Sequence, residues 1–182
     1  MTVWVSLLRG INLGARNKVP MPALREALTA AGLTDVRTYV QSGNVVSRSA
    51  HRSATAAARV VHDVVAEQFG LDIAVLARTP ADLAAVLAWN PFPEAAAGRP
   101  KVVQVTHLFG EPRPADVERL LTAVEPLPER VAVRGQEVVV DHGTSIQGST
   151  VHGAWLSKRL GGIDGTARNW RTLTALVEMT AD

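Results

Sequence analysis

The chain has no cysteine. That removes disulfides, thiolate nucleophiles and thiolate metal sites together. Aromatic residues make up only 4% of it, with Tyr39 as the one tyrosine. So few rings leave little for the stacked-base recognition on which single-stranded nucleic acids depend, and nucleic acid is a weakly supported partner. The five histidines, His51, His62, His107, His142 and His152, show no spacing that would pair two of them on one metal. No metal site and no cofactor is expected. The glycine patterns GxxxxGK[ST] and GxGxxG are both missing, and Ser157-Lys158 does not have the SxxK spacing of a serine–lysine nucleophile. Asp82, Asp116, Glu118 and Asp141 do not pair at a telling spacing and read as surface or cap residues. No segment approaches the length of a membrane span, and the first apolar run is too short for a signal peptide. The expectation is a cytoplasmic protein with no membrane partner. The formal net charge is +2, too small for bulk attraction to nucleic acid.

What the chain does have is enough apolar material for a core. It has 182 residues, 47% hydrophobic and 20% charged, which suits one medium domain or two small ones. Residues 3–8 read as a strand. Residues 21–31 read as a helix with Leu24, Ala27, Leu28 and Ala31 on one face and Gly32 as its stop. Residues 36–41 and 44–47 are short β-rich runs joined at Ser42-Gly43. Residues 54–69 carry a helical stripe of Val60, Val61, Val64, Val65 and Phe69, and residues 73–77 read as a strand. The order β-α-β-β-α-β is the ferredoxin-like unit. Thr79-Pro80 then opens a connecting helix to Trp89.

The Pro-, Ala- and Gly-rich stretch 90–100 reads as a linker. Beyond it come a strand over 102–109, a helix over 114–124, a hairpin over 130–134 and 137–141, and a short helix over 154–160. This repeats the first order, although no closing strand is legible. A last helix is expected over 167–179, capped by Thr166, with Trp170, Leu173, Leu176 and Val177 on one side. The expected fold is α+β: duplicated ferredoxin-like halves with an extra C-terminal helix. The expected organisation is a first half with its connecting helix over 1–89, a linker over 90–100, and a second half over 101–182.

Residues 9–18 stand out. Arg9-Gly10-Ile11-Asn12-Leu13-Gly14-Ala15-Arg16-Asn17-Lys18 holds three cations, two amide side chains, two glycines and no acid. It lies between a strand end and a helix start, where free backbone N–H groups and the helix dipole favour an anion. In a ferredoxin-like unit the first strand pairs with the third, so the segment holding Tyr39, Gln41, Ser42 and Asn44 should meet this loop. Arg9, Asn12, Lys18, Tyr39, Gln41, Ser42 and Asn44 are therefore candidate ligand-binding residues. A second basic segment contributes Lys158, Arg168 and Asn169, and a cleft uniting the two segments is the economical expectation.

Two of these motifs carry a resemblance. Leu7-Leu8-Arg9-Gly10-Ile11-Asn12-Leu13-Gly14 and Thr38-Tyr39-Val40-Gln41-Ser42-Gly43-Asn44-Val45-Val46 resemble the signature of a bacterial family known as domain of unknown function 1697, as does Thr166-Ala167-Arg168-Asn169-Trp170-Arg171. The resemblance implies an α+β protein with ferredoxin-like elements and supplies no activity, substrate or catalytic residue.

The residues favour a binding module for a phosphate-bearing small molecule or nucleotide at the edge of the first sheet. One alternative is a cofactor-independent transferase or hydrolase, with Arg9, Lys18 and Arg168 stabilising developing negative charge. The other is a structural or interaction protein that pairs through its sheets into a homodimer.

Overall fold

Strand β1 (Thr2–Leu8) is a nearly continuous apolar run, and every residue from Trp4 to Leu8 is buried. A strand buried on both faces belongs in the middle of a sheet. In the computed structural model, which describes residues 1–181, β1 lies between β3 (Asn44–Ser49) and β4 (Val75–Arg78), antiparallel to both. Strand β2 (Thr34–Tyr39) pairs on the outer side of β3, giving the order β2-β3-β1-β4. One face carries α1 (Met21–Ala30) and α2 (Ala54–Phe69). Leu8 and Val45 from the sheet meet Leu24 and Leu28 of α1 and Val61 and Val65 of α2 in one cluster. Ser53 caps α2 by accepting from Ala56 N–H at 3.2 Å, and Gly70, at φ 65°, ends it in the left-handed conformation. Strand β2 lies two residues ahead of its expected place because Val40 turns the chain at φ 48°.

The chain forms two compact units, residues 1–85 with the chain from Thr174 onward, and residues 86–173. The boundary falls inside α3 (Pro80–Trp89), whose start is a reciprocal cap. Asp82 accepts from Thr79 N–H at 2.9 Å, and Thr79 Oγ1 accepts from Asp82 N–H at 3.2 Å. The stretch 90–100 contains a short helix, α4 (Pro93–Gly98), with Ala95 and Ala96 buried.

The second unit repeats the first. Its elements are β5 (Val103–Leu108), α5 (Pro114–Val124), β6 (Arg130–Arg134), β7 (Glu137–Asp141), α6 (Gly153–Arg159) and β8 (Gly165–Asn169). The sheet order β6-β7-β5-β8 is the same permutation as in the first unit. Leu108, Val138 and Val140 face Leu120 of α5 and Leu156 of α6.

The closing strand β8 corrects the expected helix over 167–179. Residues 165–169 are extended and pair with β5, and the helix α7 begins only at Trp170 (Trp170–Glu178). Thr166 is therefore a strand residue and not a cap. Asn169 caps instead, its Oδ1 accepting from Thr172 N–H at 2.8 Å. The strand period was hidden because its buried positions, Thr166 and Arg168, are polar. Among the described residues no helix is long and apolar enough to cross a membrane.

Candidate anion site

At the end of β1 the chain is held from both sides. Leu8 N–H donates to the Gly43 carbonyl at 2.8 Å, and Arg9 N–H donates to the Ala74 carbonyl at 2.9 Å. Beyond Arg9 the loop turns through left-handed conformations at Gly10 (φ 70°), Asn12 (φ 54°), Gly14 (φ 57°) and Asn17 (φ 49°). Glycine and asparagine tolerate that region best, which explains the composition of the loop. Asn12 N–H donates to the Asn17 carbonyl at 2.9 Å, and Asn17 Nδ2 donates to the Gly10 carbonyl at 2.9 Å. Ile11 and Val19 are buried and anchor the loop in the core.

Asn12 is the hub. Its Oδ1 accepts from Val19 N–H at 2.9 Å, and its Nδ2 donates to the carbonyls of Val19 (2.9 Å) and Gln41 (3.0 Å). One side chain thus ties the lead-in of α1 to the β2–β3 turn across 29 residues of sequence. Asn44 does the matching work in that turn. It is fully buried, and its Nδ2 donates to the Tyr39 carbonyl at 3.1 Å and to Ser42 Oγ at 3.0 Å. Asn12 and Asn44 therefore hold the frame, while Arg9, Arg16, Lys18, Gln41 and Ser42 are exposed and Tyr39 is half-buried. Neither Arg16 nor Lys18 has a carboxylate partner among the described residues. The start of α1 has no side-chain cap and no acid in its first turn. Two large apolar side chains, Leu13 and Val40, are exposed beside Asn12 and Gln41.

Replacing Asn12 by Ala should cost about 1–2 kcal/mol, since one exposed and two part-buried bonds are lost and Val19 N–H is left without its acceptor. Urea unfolding measures this. An Asn12→Ala protein as stable as the parent would mean that the loop does not depend on its hub.

In the second unit the selected residues do not all converge. Lys158 is exposed on α6, which packs on the helix-bearing face of the sheet. Arg168 stands opposite Val105 in the register, on the other face. It is buried, its Nη1 donating to Thr166 Oγ1 at 2.9 Å and to the Ala167 carbonyl at 2.8 Å, and burial lowers its guanidinium to about 10. Asn169 is occupied in capping α7.

Three acids are buried: Asp116 and Asp141, which the sequence suggested were surface or cap residues, and Glu129, which it did not single out. Asp116 is clamped between Arg113 (2.8 Å) and Arg119 (2.6 Å), and the hydrogen bond from Arg113 holds its carboxyl below the usual range. Asp141 bonds Arg130 at 2.8 Å and Arg99 at 3.2 Å. Burial pushes its carboxyl up, but bonds from Arg130, Gly143 N–H and Arg99 outweigh this and hold it low. Arg130 and Asp141 are register partners across the β6–β7 hairpin, so this pair was readable from the hairpin itself.

The third acid, Glu129, belongs to a buried chain of side chains. Ser149 Oγ–H donates to Glu129 Oε1 at 2.6 Å, His142 Nδ1 lies 2.8 Å from Ser149 Oγ, and His142 Nε2 lies 3.2 Å from the side-chain amide of Gln104. The bond from Ser149 lowers Glu129 despite burial, so Glu129 is ionised. Burial lowers His142, so its ring is neutral at pH 7. The proton order follows. Ser149 spends its hydrogen on Glu129 and His142 donates Nδ1–H to Ser149; the neutral ring then needs a donor at Nε2, which the Gln104 amide supplies once its Oε1, placed 3.2 Å away, is exchanged with its NH2. The serine hydrogen is held by a carboxylate rather than by the imidazole, the reverse of an activated nucleophile. Among the described residues no three His, Asp or Glu side chains are grouped to hold a metal ion.

A family model described as "Protein of unknown function (DUF1697)" matches residues 1–138. No curated protein matches. Among solved structures, the chain is similar to the conserved bacterial protein SP0830 from Streptococcus pneumoniae, at 26% identity and a TM-score of 0.67 over 98% of each chain.

Proposed function

Because the chain belongs to the family described as protein of unknown function (DUF1697), a description that names no ligand or reaction, we propose its function from its own residues: it binds a phosphate-bearing small ligand, best a nucleotide, at the edge of the first sheet. One observation carries this reading. The loop pinned by Asn12 presents Arg9, Arg16 and Lys18 to solvent beside the side-chain-uncapped start of α1. Such a frame orients cations and backbone N–H groups on an anion without having to be ordered by it. The exposed Leu13 and Val40 supply apolar surface for a base or sugar. The same cations would also serve a transferase or hydrolase by stabilising developing negative charge, and turnover of the bound nucleotide separates that alternative from simple binding.

ATP in low salt should raise the denaturation midpoint, and added salt should weaken the effect. Arg9→Ala should reduce the nucleotide-induced stabilisation by ~1–3 kcal/mol through loss of a charge-assisted bond. An unchanged response in folded Arg9→Ala and Lys18→Ala proteins would remove the loop from the site.

A further inference from the structure

The second unit has a cleft of its own, at the lead-in to β5, with a volume of about 460 Å³. Its walls are Arg99, Pro100, Lys101 and Val102 on one segment, Thr144 on the loop after β7, and Arg171 in the first turn of α7. The volume lies in the range of sites that hold small ligands. The walls are tied together by backbone bonds. Val102 N–H donates to the Arg99 carbonyl at 3.0 Å, Arg171 N–H to the Pro100 carbonyl at 3.4 Å, and His142 N–H to the Val102 carbonyl at 3.0 Å. The cleft is therefore part of the folded unit and does not wait for an occupant to shape it.

Its charge has one sign. Arg99, Lys101 and Arg171 line it, and no acid does. Arg99 is neutralised by Asp141 and also donates to the Gly143 carbonyl. Lys101 and Arg171 are exposed and have no carboxylate partner among the described residues. Two uncompensated positive charges thus remain, with the Thr144 hydroxyl as a neutral donor and Pro100 and Val102 as apolar wall. Like charges around one concave space repel, and an occupant carrying two negative charges relieves them both. A carboxylate monoanion would leave one charge uncompensated. A phosphate monoester supplies about −1.5 to −2 charge at neutral pH with three acceptor oxygens, and its organic part suits the apolar wall.

We propose that this cleft is a binding site for a small soluble phosphomonoester, with Lys101 and Arg171 on the phosphoryl oxygens and Thr144 as an added donor. It is separate in residues from the loop of the first unit and does not depend on that loop binding anything.

The experiment is an NMR titration of the whole protein with phenyl phosphate, following the amides of residues 99, 101, 102, 144 and 171. Saturable shifts at these positions are expected, weakened on the order of a hundredfold in Lys101→Gln/Arg171→Gln, since each of the two lost charge-assisted bonds costs about tenfold or more. Both side chains are exposed, so this variant should fold, and its amide spectrum checks that directly. Arg9→Ala should leave the shifts unchanged, which separates this site from the loop of the first unit. The proposal is overturned if the five amides do not shift, if the double variant responds like the parent, or if acetate produces the same saturable shifts.

Discussion

Gly43→Ala should destabilise the protein by about 2–5 kcal/mol, more than Gly10→Ala close by at the same sheet edge. Both glycines have positive φ, 74° at Gly43 and 70° at Gly10, so both alanines incur the left-handed penalty of about 1–2 kcal/mol. The difference lies in the space around them. A Cβ at Gly10 meets nothing within 4 Å. A Cβ at Gly43 would stand 2.8 Å from Leu8 Cβ and 3.0 Å from Ile11 Cγ1. Leu8 and Ile11 are both buried and cannot swing aside. Forcing extra volume into such packing costs about 1–3 kcal/mol, and here it also strains the Leu8 N–H bond to the Gly43 carbonyl. Ile11 is the foot of the basic loop, so Gly43→Ala should loosen the loop along with the sheet. Denaturant melts of the two variants measure the contrast. Equal costs would mean that the turn does not pack on the loop.

The second large effect belongs to the buried chain in the second unit. Glu129→Ala should cost about 2–4 kcal/mol at pH 7, because bonds to a buried charged acceptor are among the stronger ones and their donors are left unpaired. The donors in question are Ser149 Oγ–H and Thr150 N–H. Glu129→Gln, which keeps an acceptor, should cost less. The pH dependence has a definite sign. Glu129 is lowered from its ordinary 4.5 in the folded state, so its contribution is complete above that value and is lost as pH falls through the folded value. The gap between parent and Glu129→Ala should therefore close in acid. His142 acts in the same direction from a higher pH. Its folded pKa lies below 6.5, so the unfolded chain takes up the proton first, and stability starts to fall as pH drops through 6.5. His62 is opposite: bonds to Asp72 and Asp63 raise it, and its small, largely solvent-screened contribution is present in acid and fades as pH rises through the folded value. A gap that stayed constant from pH 7 to pH 3 would show that folding does not lower Glu129, and a gap that widened in acid would show that Glu129 is not ionised in the fold.

The elements with strong periodicity are legible in the sequence alone. Leu24 and Leu28 on α1 and the valines of α2 each place one face in the core, the apolar run of β1 places that strand inside a sheet, and the β-α-β-β-α-β order then dictates that β1 and β3 pair. That pairing alone brought Arg9 near the turn at Gln41 and Ser42. Where burial falls on polar side chains, periodicity is silent. Strand β8 buries Thr166 and Arg168, and so read as the head of the following helix. The short α4 was hidden among Pro and Gly because its six residues are too few to set a period. At the site, residue types pointed to an anion loop, but not to the division of labour between Asn12, which is spent on backbone groups, and the exposed Arg16 and Lys18. The cleft at Arg99, Lys101, Thr144 and Arg171 draws on segments about 70 residues apart, whose meeting depends on how β5, β7 and α7 pack.

We propose the loop of residues 9–18 as the place where this protein takes a phosphate-bearing ligand. The most direct measurement is an amide-resolved NMR titration with ATP at low salt. The largest saturable shifts should fall on residues 9–18 and 41–43, and should disappear in Arg9→Ala/Lys18→Ala while the rest of the spectrum holds. Saturable ATP shifts confined to other parts of the molecule, or none at all, would contradict the account.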